Sequence, residues 1–283
     1  MSFLNRPKTR LGRVTEAIPL NLRPHKTKKP TGIALDSQEL LKALQFVSPC
    51  ISKEHARPVL ECVLFDSGNG IIKLVAADGY RLATAKIKAK RIHTDKVLIG
   101  ISDIAKLTTY LKAIKPIGRG KAKVYPTIYL HYDYKTVKFS TESGTIEFNK
   151  QLGNFPNYQQ LIPEDGTKIQ FIASSMLTAT KALSHIANDG SGIIRLLFEH
   201  NIPVGKITLS SQSIELGIST AECDAIVQSD AKIAVNAKYL TDLLRLCADS
   251  KITMRVTTTS SPMVFDIDKA KQSVIMPMYV QWA

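Results

Sequence analysis

The sequence predicts an α+β protein made of two tandem units of one design, each with antiparallel sheets and two helices on one face. Three observations carry this reading. The chain has 283 residues, long for one domain and comfortable for two. The same order of apolar segments recurs at an offset of about 135 residues, longer than the periods of solenoid repeats and typical of a duplicated domain. Within each copy the apolar period alternates between that of a strand and that of a helix.

The first copy opens with a strand at 33–35, then Asp36 or Ser37 as N-cap before Leu40, Leu41, Leu44 and Val47 at helical spacing. The second opens with a strand at 169–172, then Ser174 or Ser175 as N-cap before Met176, Leu177, Leu183 and Ile186. Strand-rich stretches follow at 63–65, 71–76 and 81–87 in one, and at 193–198, 206–210 and 213–218 in the other. Short turns between them imply antiparallel hairpins. Both copies then return to strand and helix, at 97–101 with 102–114 and at 233–235 with 236–246. Strands at 128–131, 136–140 and 145–150 close the first copy, and strands at 252–257, 263–266 and 273–276 close the second. So few helices among so many antiparallel strands must share one face of the sheet. The expected organisation is a basic, mostly disordered arm at 1–31, one unit at 32–163 and a second at 164–283.

Charge is uneven along the chain. Lys and Arg exceed Asp and Glu by 14. Residues 1–30 hold eight basic side chains against Glu16 alone, +7; residues 31–163 hold 19 against 11, +8; residues 164–283 hold 11 against 12, −1. Two thirds of the chain is therefore suited to a polyanion, since each neutralised phosphate releases condensed counterions. Solvated surface lysines are the plainer reading. The arm is rich in proline and poor in periodicity; an organelle transit peptide is a minor alternative for it.

Other classes find little support. No run approaches the roughly 18 apolar residues of a membrane span, and the first 30 residues lack the apolar core of a secretory signal. Cys50, Cys62, Cys223 and Cys247 form no C-x-x-C pair, so buried free thiols in a reducing cytoplasm are expected rather than zinc or disulfides. Gly118-Arg119-Gly120-Lys121 lacks the spacing and the Ser/Thr of a phosphate-binding loop. His131 and Asp133 make a poor metal pair, and Asp78 has no recurring carboxylate or histidine beside it, so turn formation with Gly79 explains it. No catalytic residue, metal or cofactor is expected.

Leu74-Val75-Ala76-Ala77-Asp78-Gly79-Tyr80-Arg81-Leu82-Ala83 resembles the second-domain signature of the bacterial sliding clamp family, the DNA polymerase III beta subunits. Four further strings agree in order and spacing: Arg57-Pro58-Val59-Leu60, running on to Phe65; Asn154-Phe155-Pro156-Asn157-Tyr158 with Leu161-Ile162-Pro163; Val235-Asn236-Ala237-Lys238-Tyr239-Leu240; and Ser273-Val274-Ile275-Met276-Pro277-Met278. The resemblance implies tandem DNA-clamp-like domains, corresponding to the second and third of the family's three. It implies a ring around duplex DNA that docks polymerase and clamp loader through short linear motifs. With two domains per chain a six-domain ring needs three copies, a homotrimer. The expected setting is the cytoplasm, at the nucleoid.

In such a ring, basic side chains on helices lining the channel attract phosphates without reading bases, which permits sliding. The candidates are Lys42, Lys106, Lys112, Lys115, Lys181, Lys238 and Arg245, with Lys53 and Arg57 in a loop and the 86–91 run as further phosphate contacts. For each, a solvated helix face is the alternative. The resemblance places a peptide-docking groove on Leu60, Ala77, Gly79, Tyr80, Arg81 and Leu82, on Pro156, Gln160 and Leu161, and on Asn236, Tyr239, Val274, Ile275, Met276, Pro277 and Met278. A methionine and aliphatic pocket suits the apolar side chains of short motifs, with Asn236 and Arg81 orienting them. For Leu60, Leu82, Val274 and Ile275, simple strand core is the alternative.

Gln160 and Tyr279 stand where the family typically has arginine, which bears on motif specificity. Family members are usually acidic, so +14 leaves room for a second reading, a non-sliding DNA-binding or partner-sequestering paralogue. A hydrolase acting on nucleic acid is the enzymatic alternative.

Overall fold

A computed structural model describes residues 32–90, 94–118, 123–247 and 250–282. The arm expected at 1–31, the end of the 86–91 run and most of the Gly118-Arg119-Gly120-Lys121 string lie outside the described residues.

Sixteen strands and five helices are described, and they repeat one pattern four times: a strand, a helical segment and three antiparallel strands. The first repeat is β1 (Ile33–Asp36), α1 (Ser37–Val47), β2 (Cys62–Gly68), β3 (Ile71–Ala77) and β4 (Arg81–Lys88). The second is β5 (Asp95–Gly100), α2 (Ile101–Ala113), β6 (Thr127–Tyr132), β7 (Thr136–Thr141) and β8 (Gly144–Asn149). The third is β9 (Thr167–Ile172), α3 (Ala173–Ala182) with α4 (Ser184–Asp189), β10 (Ile193–Glu199), β11 (Gly205–Ser213) and β12 (Gly217–Val227). The fourth is β13 (Ala231–Asn236), α5 (Ala237–Leu246), β14 (Lys251–Val256), β15 (Met263–Asp266) and β16 (Lys271–Ile275).

Repeats are paired by exchanging their first strands. β1 pairs with β6 while β5 pairs with β2, and in the second unit β9 pairs with β14 while β13 pairs with β10. Each unit is therefore a two-fold arrangement of two sheets over shared helices. The chain leaving every fourth strand then crosses to the first strand of its own repeat. Ala34 N–H donates to the Lys90 carbonyl at 2.9 Å, Gln151 N–H to Leu98 at 3.0 Å and Met278 N–H to Ala234 at 2.8 Å, and Ile226 and Val227 pair with Gln170 and Ile169.

The two units join through β4 and β16, antiparallel with Arg81 opposite Ile275 and Lys271 opposite Ala85. This makes one sheet of twelve strands, β13-β10-β11-β12-β9-β14-β15-β16-β4-β3-β2-β5, beside the four-stranded β1-β6-β7-β8. Alternation along the strands gives the large sheet two apolar faces. On the helix-bearing face Ala83, Ala85 and Ile275 belong to one core that runs through both units with α1, α2, α3 and α5. On the other face Leu64, Val75, Leu82, Leu98, Val264 and Val274 lie under Phe155, Tyr158 and Ile162 of the segment linking the units. Gly153 in that segment has φ of +128°, and a Cβ there would come 2.6 Å from Val59 Cγ1, so only glycine lets the linker settle this closely.

Most expected elements are present, with three local differences. Neither Ser174 nor Ser175 caps α3: Ile172 is its N-cap, without a side-chain hydrogen bond, because the helix starts directly where β9 ends. The helical run from Met176 to Ile186 is broken at Leu183 into α3 and α4. Residues 213–218 are mainly a turn, since Ser213 Oγ accepts from the N–H groups of Glu215 and Leu216 at 3.1 and 3.2 Å, and β12 instead runs to Val227.

The repeats differ in how they cap their helices. Asp36 Oδ1 accepts from Gln38 and Glu39 N–H, both at 2.8 Å, and Asn236 Oδ1 accepts from Lys238 and Tyr239, whereas Gly100 and Ile172 offer no side chain. Asp36→Ala is expected to cost about 1 kcal/mol, and Ile172→Asp, at an exposed and uncapped position of extended backbone, to gain a fraction of that. Urea midpoints check both; a lower midpoint for Ile172→Asp would show that strand pairing outweighs capping at this junction.

Candidate functional site

The upper end of the β4–β16 ladder gathers most of the side chains that the sequence singles out for docking. β3 turns into β4 through Asp78, Gly79 and Tyr80. Gly79 takes φ of +93°, and Asp78 Oδ1 accepts from Tyr80 and Arg81 N–H at 3.0 and 2.9 Å. Asp78 thus works as a turn former. Past the ladder the terminal segment continues in register, Met276 N–H donating to the Tyr80 carbonyl at 2.8 Å, before Met278 reaches β13.

Arg81 ties the two units together. Its Nε donates to Asp78 Oδ2 at 2.9 Å and its Nη1 to Asp242 Oδ2 on α5 at 3.0 Å, while its guanidinium lies 4.5 Å from the Tyr239 ring centroid. Tyr80 stacks on the same ring, 6.3 Å between centroids and 27° between planes. Lys238 Nζ also reaches Asp242 Oδ2, at 2.7 Å. Burial raises the Asp242 pKa, but hydrogen bonds and charge from Lys238 and Arg81 outweigh it and hold the carboxyl below its ordinary value. Asp242 is missed by the sequence reading, which sees Arg81 and Lys238 but not the acid between them. Only the Lys238-to-Asp242 spacing of four on a helix hints at it.

The docking residues divide between the two faces of the ladder. Leu82 and Val274 face outward and Ile275 faces the helices, a consequence of strand alternation. Arg81, Tyr239 and Ile275 line a small crevice between the end of α1 and α5. Leu60, Leu82, Val274 and Ile275 are at most 5% exposed, so they form packing beneath the surface. Surface is offered instead by Tyr80 and Leu161, by Pro156, Gln160 and Gly79, and by the half-buried Ala77, Asn236, Tyr239, Met276, Pro277 and Met278. Asn236 Oδ1 is taken up by capping α5, and Arg81 is held by two carboxylates, so neither is a free orienting group. Leu60 lines a hollow with Arg57, Gly79 and Tyr80, which places Arg57 beside the groove rather than among the helix lysines.

Of the candidates for phosphate contact, Lys42, Lys53, Lys106, Lys112, Lys115, Lys181, Lys238 and Arg245 are all exposed. Lys106 pairs with Asp103 at 2.9 Å and Lys238 with Asp242, which reduces their net charge toward a partner. The four cysteines are free and buried; burial pushes the Cys50 thiol up to about 12. Asp133 is committed to its own turn, accepting from Lys135 and Thr136 N–H at 2.8 and 2.7 Å.

Because the folded Asp242 pKa is depressed, its contribution is full above the unfolded value of about 3.9 and is lost as pH falls through the folded value. Asp242→Asn is expected to cost about 2 kcal/mol at pH 7 and to flatten the acid-side decline of stability, read by urea unfolding between pH 6 and 3. An unchanged acid slope would mean that the pair does not couple the units.

Comparison with known proteins agrees with this fold. Residues 159–279 match the family model for the C-terminal domain of the DNA polymerase III beta subunit. The beta sliding clamp of Caulobacter vibrioides is 26% identical over 256 residues, 88% of this chain and 66% of the relative, and that of Chlamydia pneumoniae is 26% identical over 87% and 64%. The chain thus spans about two thirds of the length of the curated relatives it matches. The same fold is seen in the Thermotoga maritima DNA polymerase III beta subunit, with a TM-score of 0.79 at 23% identity over 93% of this chain and 70% of that one. The Bacillus subtilis DNA polymerase sliding clamp gives a TM-score of 0.77 at 21% identity, over 91% and 67%. With repeated units, a shared helix face and matches that run across both units, the chain resembles the bacterial DNA polymerase III beta subunits, and residues 159–279 match the C-terminal domain of that family.

Proposed function

We propose that the chain is a sliding-clamp-like, non-catalytic processivity factor, three copies of which close a ring around duplex DNA in the cytoplasm and dock polymerase and clamp loader through short peptide motifs. The observation that carries this reading is the pairing of fourth strands. β4 and β16 satisfy one another within the chain, whereas among the described residues β8 keeps a free edge and β12 is paired on its second side only at Ile226 and Val227. Unpaired edges of this length invite another chain.

The repeat supplies the register. Matching the crossing points, Gln151 to Lys90 and Ile226 to Met278, carries the Arg81–Ile275 and Ala85–Lys271 pairs onto Glu142–Cys223 and Ile146–Ser219 of neighbouring copies. Such a head-to-tail contact is heterologous and closes into a ring when the rotation allows. The helices share the face opposite the linker and carry exposed Lys42, Lys112, Lys181 and Arg245, with exposed Lys115 just past the end of α2, suited to phosphates read without base contacts.

Light scattering is expected to give three times the 31.2 kDa chain mass. Protein loaded on nicked circular duplex is expected to stay bound in high salt and to leave when the circle is cut. Retention after linearisation would favour a static DNA-binding paralogue, and a monomer at micromolar concentration would count against the ring.

A further inference from the structure

Lower on the β4–β16 ladder, on the face away from the helices, lies a hollow of about 510 Å³ whose charge the function above does not use. Lys73, Lys86, Lys251 and Lys269 line it together with Asp266 and Asp268. Both acids are already engaged. Asp266 accepts from Arg255 Nε at 3.0 Å and Gln272 Nε2 at 2.7 Å, and Asp268 Oδ1 accepts from Ala270 and Lys271 N–H, both at 2.7 Å. No ion pair among the described residues involves any of the four lysines. Lys73 is half buried with its Nζ 4.7 Å from the Tyr158 ring centroid; burial lowers its pKa, and the charge of Asp66, opposite it on β2, offsets part of that.

The position of the hollow identifies its occupant. Leu82, Thr84 and Lys86 alternate onto the same face of β4, and Val274 and Gln272 stand opposite the first two on β16. Lys86 is about 20 Å along the strand from Tyr80, within reach of about six residues of extended peptide. Duplex DNA is expected on the opposite, helix-bearing face. A continuous phosphate backbone also fits poorly here, because Asp266 and Asp268 sit among the lysines and the linker bounds the hollow at Tyr158.

We propose that this hollow binds the acidic segment of a partner peptide whose apolar residues dock at Tyr80, Met276 and Met278, an assignment that rests on the docking reading of that groove. The partner motif is then bipartite: an apolar anchor, and carboxylates a few residues away that meet Lys73, Lys86, Lys251 and Lys269.

The test uses the full chain and fluorescent synthetic peptides with a Leu-Phe anchor, a five-residue Gly-Ser spacer and either three glutamates or three glutamines, built in both chain directions. In low salt the better glutamate peptide is expected to bind about tenfold tighter than its glutamine twin, the sum of a few exposed ion pairs. The exposed-site variant Lys86→Gln/Lys251→Gln/Lys269→Gln should erase that ratio and leave glutamine-peptide affinity unchanged. Equal affinity of the two peptides, with binding still lost in Met276→Ala/Met278→Ala, would overturn this proposal and spare the groove. Binding of neither peptide would overturn both. A single-stranded oligothymidylate that binds through the same lysines more tightly than the glutamate peptide would reassign the hollow to nucleic acid.

Discussion

The structure depends on main-chain pairing at strand edges. A sheet edge is a row of unsatisfied N–H and C=O groups, and this chain satisfies most of them by joining repeats. Exchange of first strands holds each unit together, the crossing after each fourth strand closes its sheets, and β4 against β16 makes two units one body. Everything of interest at the groove follows from that last ladder. It sets Leu82 beside Val274, brings Tyr80 to Met276, and carries Arg81 to an acid 161 residues away in sequence.

The ladder also separates two surfaces by the period of a strand. Side chains of one parity build the core shared with the helices, whose outward sides hold the exposed lysines. Those of the other parity build a second, smaller apolar layer that the linker roofs with Phe155, Tyr158 and Ile162. Glycine at 153 lets that roof lie close. A contact made on one surface therefore need not disturb the other, which fits the proposed binding of DNA on the helix face and of partners on the outer face.

Much of this was legible in the sequence because local chemistry decides it. Asp36 and Asn236 before helical apolar runs, and Asp78-Gly79 between strands, each specify an N-cap or a turn from neighbours alone. What escaped depends on long-range partners or on weak local signals. The shorter repeat within each unit is blurred because only two of its four helix starts keep a capping side chain and the third helix is broken at Leu183. Residues 213–218 alternate like a strand, yet the Ser213 hydroxyl turns the backbone there. The partner of Arg81 and the grouping of Lys73, Lys86 and Lys251 exist only once β4, β14 and β16 share a sheet. The sequence offers the groove side chains as one set, but strand alternation divides them, which the register of the ladder reveals.

The proposed ring requires that the two remaining fourth-strand edges, β8 and β12, meet between copies as β4 and β16 meet within one. Thr145 and Thr220 are exposed and fall opposite each other in the register that the repeat implies. A Thr145→Cys/Thr220→Cys variant, mildly oxidised at micromolar concentration, should form a covalent ladder ending at a closed trimer, because directly opposed strand residues meet the distance a disulfide needs. Mixed single-cysteine variants should stop at heterodimers. A protein that stays monomeric on the denaturing gel after oxidation, while the same variant assembles in solution, would contradict the β8–β12 junction.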